Sequence, residues 1–248
     1  MARPDDDLIW EIYTDCAYKR AMPHADFGIG VYTATEAARM VGMSPATLRR
    51  WLMGYQHDEK IEAALWRPQH LPDDDGVLLG FRDLIEARIV NSLREKRIGL
   101  QTIRTCIERA RQIIGDERPF STREFKTDGK TIFLEITKGL DEPVFIDLKS
   151  SQGVFKRVVA PSLQDLEFDE HAVKRWWLLH GKKSIVADPD RAFGQPIIAA
   201  HGITTQRVAG AVKAEGSVAE VARLYEIKPS LIRDALAYEN QRNLRKAA

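Results

Sequence analysis

Two stretches far apart in the chain repeat one pattern, and this repeat limits the possible folds more than any other feature of the sequence. TATEAARMVGMSPATLRRWL runs from Thr33 to Leu52, and VAEVARLYEIKPSLIRDAL runs from Val218 to Leu236. Glu36, Ala38, Arg39, Pro45, Arg49 and Leu52 of the first copy align with Glu220, Ala222, Arg223, Pro229, Arg233 and Leu236 of the second. Each copy reads as two short helices joined by a tight turn. In the first, Ala37, Ala38 and Val41 form the apolar side of a helix whose expected N-cap is Thr35. Gly42 supplies the left-handed geometry that ends it. Ser44 caps the next helix, and Pro45 sits in its first turn, where a missing N–H costs nothing. Leu48, Trp51 and Leu52 then face inward at i, i+3 and i+4.

Packing by those three residues leaves Ala46, Thr47, Arg49 and Arg50 on the outer side. In a DNA-binding helix-turn-helix the first helix braces across the backbone while the second enters the major groove. A threonine there reaches a base edge or a thymine methyl, and an arginine pairs with guanine in bidentate fashion. Ser44 and the first N–H groups of the second helix suit a phosphate. The candidate DNA-binding residues are therefore Thr35, Arg39, Ser44, Thr47, Arg49 and Arg50. Two capped helices with surface arginines also occur in cores that bind nothing, so the pattern alone leaves that reading open. The second copy is chemically poorer as a reader. It has Ser230, Leu231, Arg233 and Asp234 where the first has Ala46, Thr47, Arg49 and Arg50. A carboxylate repels phosphate and a leucine offers apolar surface, so a protein-contact role is expected of Leu231, Arg233 and Asp234.

With a formal net charge of only +1 over 248 residues, any attraction for nucleic acid must come from a local face. Two such faces are visible. Arg39 to Leu52 holds three arginines and no acid, and Arg94 to Arg111 holds six basic residues against Glu95 and Glu108. No apolar run reaches the length of a membrane span. MARPDDDLIWEIYTDC is acidic where a signal peptide is basic, so a cytoplasmic location is expected. Cys16 and Cys106 are too few for a disulfide framework. The six histidines are scattered, no glycine loop sits between a strand and a helix, and no nucleophile–base spacing stands out. No catalytic residue, metal site or cofactor is expected.

Along the chain, residues 1–27 lack periodicity and read as an N-terminal extension. RPQHLPDDDGVLLGF combines prolines, an Asp-Gly turn and a short apolar run, which suits a two-stranded wing. Leu84, Ile85, Ile89 and Leu93 form one helical stripe. Leu100, Ile103, Ile107 and Ile114 form another, stopped by Gly115. Residues 28–116 thus read as a winged helix-turn-helix domain. In 117–182 the Asp128-Gly129 pair predicts a hairpin, PVFIDL and VFKRVV read as strands, and LEFD adds a short one. The expectation there is a small antiparallel β region. IVADPDRAFGQPIIAAHGI reads as loop with short strands, so 183–248 is expected to be a small helical domain with a polar tail. The fold class expected is α+β, mainly α.

YTATEAARMVGMSPATLRRW, with FRDLIEARIVNSLREKRIGLQTIRTCIERA behind the wing, resembles the DNA-binding domain of MerR-type regulators across about residues 30–115. That family's Thr-Leu-Arg-aromatic reader signature is matched by Thr47, Leu48 and Arg49, with Arg50 where tyrosine is usual. The family's wing arginine has no equivalent, and Asp73, Asp74 and Asp75 lie nearby. Asp188-Pro189, Gly194-Gln195-Pro196-Ile197-Ile198, Gly202-Ile203, Gly216 and Ala235 to Tyr238 resemble the uncharacterised domain family 433 (DUF433). The two together are similar to long VapB-type antitoxins. The resemblance implies a homodimeric repressor that binds operator DNA and neutralises a PIN-like ribonuclease toxin, whose acidic site the basic Arg242, Arg245 and Lys246 would suit. A MerR-like regulator without a toxin partner, its C-terminal half serving dimerisation or ligand sensing, is the alternative.

Overall fold

A computed structural model describes residues 29–57, 60–70, 76–140 and 155–247. The architecture is α+β and mainly helical. A short strand β1 (Tyr32–Thr33) leads into α1 (Ala34–Val41), and α2 (Pro45–Met53) follows after Gly42, whose φ of 86° and ψ of 41° are left-handed. Gly42 and Met43 return their N–H groups to the Ala38 carbonyl at 2.8 and 2.9 Å, which closes the first helix. Thr33, not Thr35, is the N-cap. Its hydroxyl accepts from Glu36 N at 3.2 Å, and the Glu36 carboxylate accepts from Thr33 N at 3.0 Å. The reason is readable in Thr33-Ala-Thr-Glu36, a capping box that only the earlier threonine can complete.

The wing lies earlier than expected. β2 (Tyr55–His57) and β3 (Lys60–Glu62) form an antiparallel hairpin directly after α2. The later apolar run instead supplies β4 (Leu78–Leu79), which pairs with β1. Gly54 makes the turn into the hairpin at a φ of 72°, and Leu65 N then bonds back to Trp51 O at 2.7 Å. Asp73, Asp74 and Asp75 lie outside the described residues. Next come α3 (Phe81–Glu95) and α4 (Leu100–Ile114), carrying the expected stripes. Leu84, Ile85, Ile89, Ile103 and Ile107 are buried, and Gly115 ends α4 at a φ of 75°.

The segment expected to be β-rich is largely helical. After a 3-10 turn at Pro119–Ser121, α5 spans Arg123–Thr137 and contains the whole Asp128-Gly129 pair. Thr122 caps it by accepting from Phe125 N at 3.1 Å. Phe125, Ile132, Phe133 and Ile136 fall on one buried helical face, so the 3.6-residue period outweighs a two-residue turn signal. Gly129 sits on that face because the Phe155 ring closes over it, and a Cβ there would lie 3.0 Å from the ring. VFKRVV is not a strand either: Phe155–Val159 forms a π-helical turn. PVFIDL lies outside the described residues.

The β region is a four-stranded antiparallel sheet of β5 (Leu166–Phe168), β6 (Val173–Leu179), β7 (Lys182–Ala187) and β8 (Ile197–Ile198), in that order. Its side chains join two cores. Val173, Trp176 and Ala187 belong to the cluster around α1–α5, whereas Leu179, Ile185 and Ile198 belong to the C-terminal cluster. That second cluster is closed by α6 (Thr205–Glu215), α7 (Val218–Leu224) and α8 (Pro229–Ala247). The Trp176-Trp177 pair serves packing. Trp176 is buried under the Arg88 guanidinium, 4.4 Å from its ring, and the Trp177 indole donates to Glu167 at 3.0 Å.

The two halves are locked at the start of α1. Tyr32 is buried and donates its hydroxyl to Gly194 O at 2.7 Å, while Val31 N donates to Phe193 O at 3.0 Å. Burial first, then the neighbouring Tyr238, Asp188 and Glu36, holds the Tyr32 phenol well above its ordinary range, so it remains a donor. The 188–195 loop is therefore a clamp on the N-terminal motif as well as a connection between strands.

Candidate nucleic-acid interface

The cationic flank of α2 faces outward. Leu48 and Leu52 are fully buried and Trp51 is 5% exposed, so the helix is anchored along one side. Ala46, Arg49 and Arg50 are exposed on the other, with Thr47 half-buried between them. Ser44 Oγ accepts from Thr47 N at 3.3 Å, and Pro45 occupies the first turn as expected. The helix contains no acid, and Arg49 makes no ion pair among the described residues. Arg50 lies 5.9 Å from the Tyr55 ring centroid, so the first residue of the β2–β3 hairpin steadies one guanidinium of α2. The arrangement presents two fixed positive charges and a hydroxyl on a rod narrow enough for a major groove.

The bracing helix contributes less. Thr35 and Arg39 are half-buried. Glu36 is occupied by the cap, with one carboxylate oxygen also 3.4 Å from Gln195 Nε2. Thr33 is exposed at the helix start, and reading Thr35 as the cap hid it. Tyr55 escaped notice as well, because it precedes the segment expected to be the wing.

The second basic stretch divides. Arg104 gives its guanidinium to the carbonyls of Ala63 and Ala64 at 2.8 and 2.9 Å, Arg109 to those of Ile136 and Lys138, and Arg111 to that of Glu117. These arginines hold loops in place instead of facing solvent. Lys96 and Arg97 are exposed in the turn before α4, five and four residues ahead of Gln101, which bonds to Glu62 of the wing at 2.8 Å.

The C-terminal residues separate similarly. The Asp234 carboxylate pairs with Lys182 of β7 at 2.6 Å; partial burial pushes its pKa up, and the lysine outweighs that and holds it below the usual carboxylate range. Leu231 packs half-buried against the C-terminal core. Arg233 is exposed. Arg242, Arg245 and Lys246 fall on the backbone of α8, which runs on through Ala247, although their side chains are outside the description. No group of three or more His, Cys, Asp or Glu residues among the described residues could hold a metal. None of the described helices is long and apolar enough to cross a membrane. Cys106 is a buried free thiol.

Comparisons with known proteins fall on the same two regions. Residues 30–107 match a family described as "Putative DNA-binding HTH domain", and residues 185–238 match the family "Protein of unknown function (DUF433)". A protein of Mycobacterium tuberculosis named "Putative antitoxin VapB45" is 28% identical over 225 residues, which cover 85% of this chain and 94% of the relative. The crystal structure of Rv2018 from Mycobacterium tuberculosis is similar at 25% identity with a TM-score of 0.62, covering 85% of this chain and 99% of that one. The chain thus joins a stretch that matches a family described as a putative DNA-binding helix-turn-helix domain to one that matches DUF433, and over most of its length it is similar to a protein named as a putative antitoxin.

Proposed function

We propose that this protein is the antitoxin of a type II toxin–antitoxin pair: a homodimer that represses its own operon and neutralises a PIN-like ribonuclease. One observation carries the reading. Similarity to a relative named as an antitoxin runs through nearly the whole of both chains, and the stretch that bears DNA-binding chemistry in this chain lies within it. α2 supplies the operator contacts through Thr47, Arg49 and Arg50, with Ser44 and the start of the helix on a phosphate. Thr35 and Arg39 lie on the bracing helix, where backbone contacts belong. Two-fold symmetry would let two copies read two half-sites.

Toxin neutralisation is assigned to the end of α8. Arg242, Arg245 and Lys246 place three cationic residues in its last turns, suited to an acidic metal-binding nuclease site. Glu239, just before them, accepts from Thr205 Oγ1 at 2.5 Å and so belongs to the fold. Truncation after Gln241 therefore removes the cations and spares the core. Co-expressed with the ribonuclease of the neighbouring gene, the parent should restore growth and co-purify with it. The truncated chain should do both weakly while remaining folded. Full rescue by the truncated chain would remove the tail from the account. A parent that neither rescues nor co-purifies would favour the MerR-like regulator without a toxin.

A further inference from the structure

The repeated pattern is repeated in space, down to its hydrogen bonds. Glu226 stands at the position of Gly42 and adopts the same left-handed backbone, with a φ of 54° against 86°. Ile227 N bonds to Ala222 O at 2.9 Å, as Met43 N bonds to Ala38 O at 2.9 Å. Ile232 N returns to Lys228 O as Leu48 N returns to Ser44 O. Ile232 and Leu48 are both fully buried. A glutamate held at positive φ is strained, since a Cβ there crowds its own carbonyl. The chain keeps this turn geometry even without a glycine to make it easy.

The feature that argued against DNA contact is turned away from the outer surface. Asp234 is tied to Lys182 on the sheet, and Leu231 packs on the core. What remains outward on the first turns of α8 is Ser230, Arg233 and Ala237, with Lys228 just ahead. Neither Arg233 nor Lys228 has an acidic partner among the described residues. Arg233 occupies the place of Arg49. Arg207 and Lys213 on α6 add exposed cations, while the carboxylate of Glu220 is occupied by Arg223. A protein-contact surface would centre on apolar anchors, whereas the outward side of α8 offers Pro229, a serine, an alanine and an arginine; the exposed Leu224 and Glu226 belong to the end of α7 and the turn after it.

We infer that α8 is a second DNA-reading helix, so that each chain grips duplex DNA at two places. This rests on the repressor reading above and extends it. The two readers are joined rigidly. α8 packs against the bracing helix α1, and its Tyr238 lies beside the buried Tyr32. Ser230 and Arg245 are separated by 15 positions on one helix, about 22 Å at 1.5 Å per residue, so DNA at one end leaves the other end free for the toxin.

The test uses the full chain and duplex DNA from upstream of its gene. Lys228→Ala with Arg233→Ala should weaken binding by about tenfold or more, within the range of a lost base or phosphate contact. It should also flatten the salt dependence by roughly one to two in log–log slope and shorten the nuclease-protected segment. Both side chains are exposed, so the melting curve should be unchanged. Glu226→Gln, which removes the exposed carboxylate two positions before Lys228, should tighten binding. If only Arg49→Ala with Arg50→Ala weakens binding, and the Lys228/Arg233 variant keeps the parent's affinity, slope and footprint, the second reader is overturned and the first stands. If only the Lys228/Arg233 variant weakens it, the second reader stands and the assignment of α2 falls. Loss of toxin co-purification by that variant, with DNA binding intact, makes the surface a protein interface and overturns the inference.

Discussion

Glu86 shows how much one residue can ask of its surroundings. It is buried at 2% exposure, with its carboxylate accepting from Ser121 N at 2.8 Å. Burial pushes its pKa up to about 8 from 4.5, against the opposing pull of the Ser121 N–H and of Arg82 and Arg118. The folded state therefore holds the proton more tightly than the unfolded chain does. This contribution to stability is complete below pH 4.5 and is lost as pH rises towards 8, at up to about 1.4 kcal/mol per pH unit. Glu86→Gln keeps an oxygen for Ser121 N and has no proton to lose. Urea unfolding between pH 5 and 9 should show the parent weakening with pH more steeply than the variant. Equal slopes would mean that Glu86 titrates as in the unfolded chain. The neighbouring buried Asp83 carries more hydrogen bonds: Gln69 N and Gly80 N donate to one oxygen at 2.7 and 2.9 Å, and Arg118 to the other at 2.6 Å.

At the scale of elements, the cap of α1 separates Thr33 from Thr35 by experiment. Thr33→Ala removes the hydroxyl that accepts from Glu36 N and donates to the Glu36 carboxylate, leaving only the bond from the backbone N–H of residue 33, and should cost about 1 kcal/mol, whereas Thr35→Ala should change stability by no more than about 0.5 kcal/mol. Thermal or urea unfolding checks both, and the reverse order would restore Thr35 as the cap. α2 was legible because its signals are local: a capping serine, Pro45 at the start, Gly42 before it and three apolar residues at helical spacing. α3 and α4 were legible for the same reason. α5 was misread because Asp-Gly is a strong hairpin signal only where both flanks alternate, and here Phe125, Ile132, Phe133 and Ile136 follow the helical period. The ring of Phe155, distant in sequence, makes Gly129 useful inside a helix. Asp234 was placed on the outer face because it aligns with Arg50 of the first copy. Its partner Lys182 lies on a strand 52 positions earlier, beyond the reach of a local pattern.

For the molecule as a whole, the clamp at Tyr32 and Gly194 joins the N-terminal motif to the segment that matches DUF433. A partner bound to α8 would then act on a body that includes the reader, not on a tethered appendage. With a net charge of only +1, the affinity for DNA that the proposed function requires must come from the faces described above, and it should fall steeply as salt rises. The central claim is that the outward flank of α2 reads duplex DNA. Its most direct measurement is the affinity for duplex from upstream of the gene, titrated at several salt concentrations, for the parent and for Arg49→Ala with Arg50→Ala. The account predicts a loss of a few kcal/mol and a shallower salt slope in the double variant, at about 1–3 kcal/mol for each specific contact removed. Parent and variant binding with the same affinity and the same slope would contradict it.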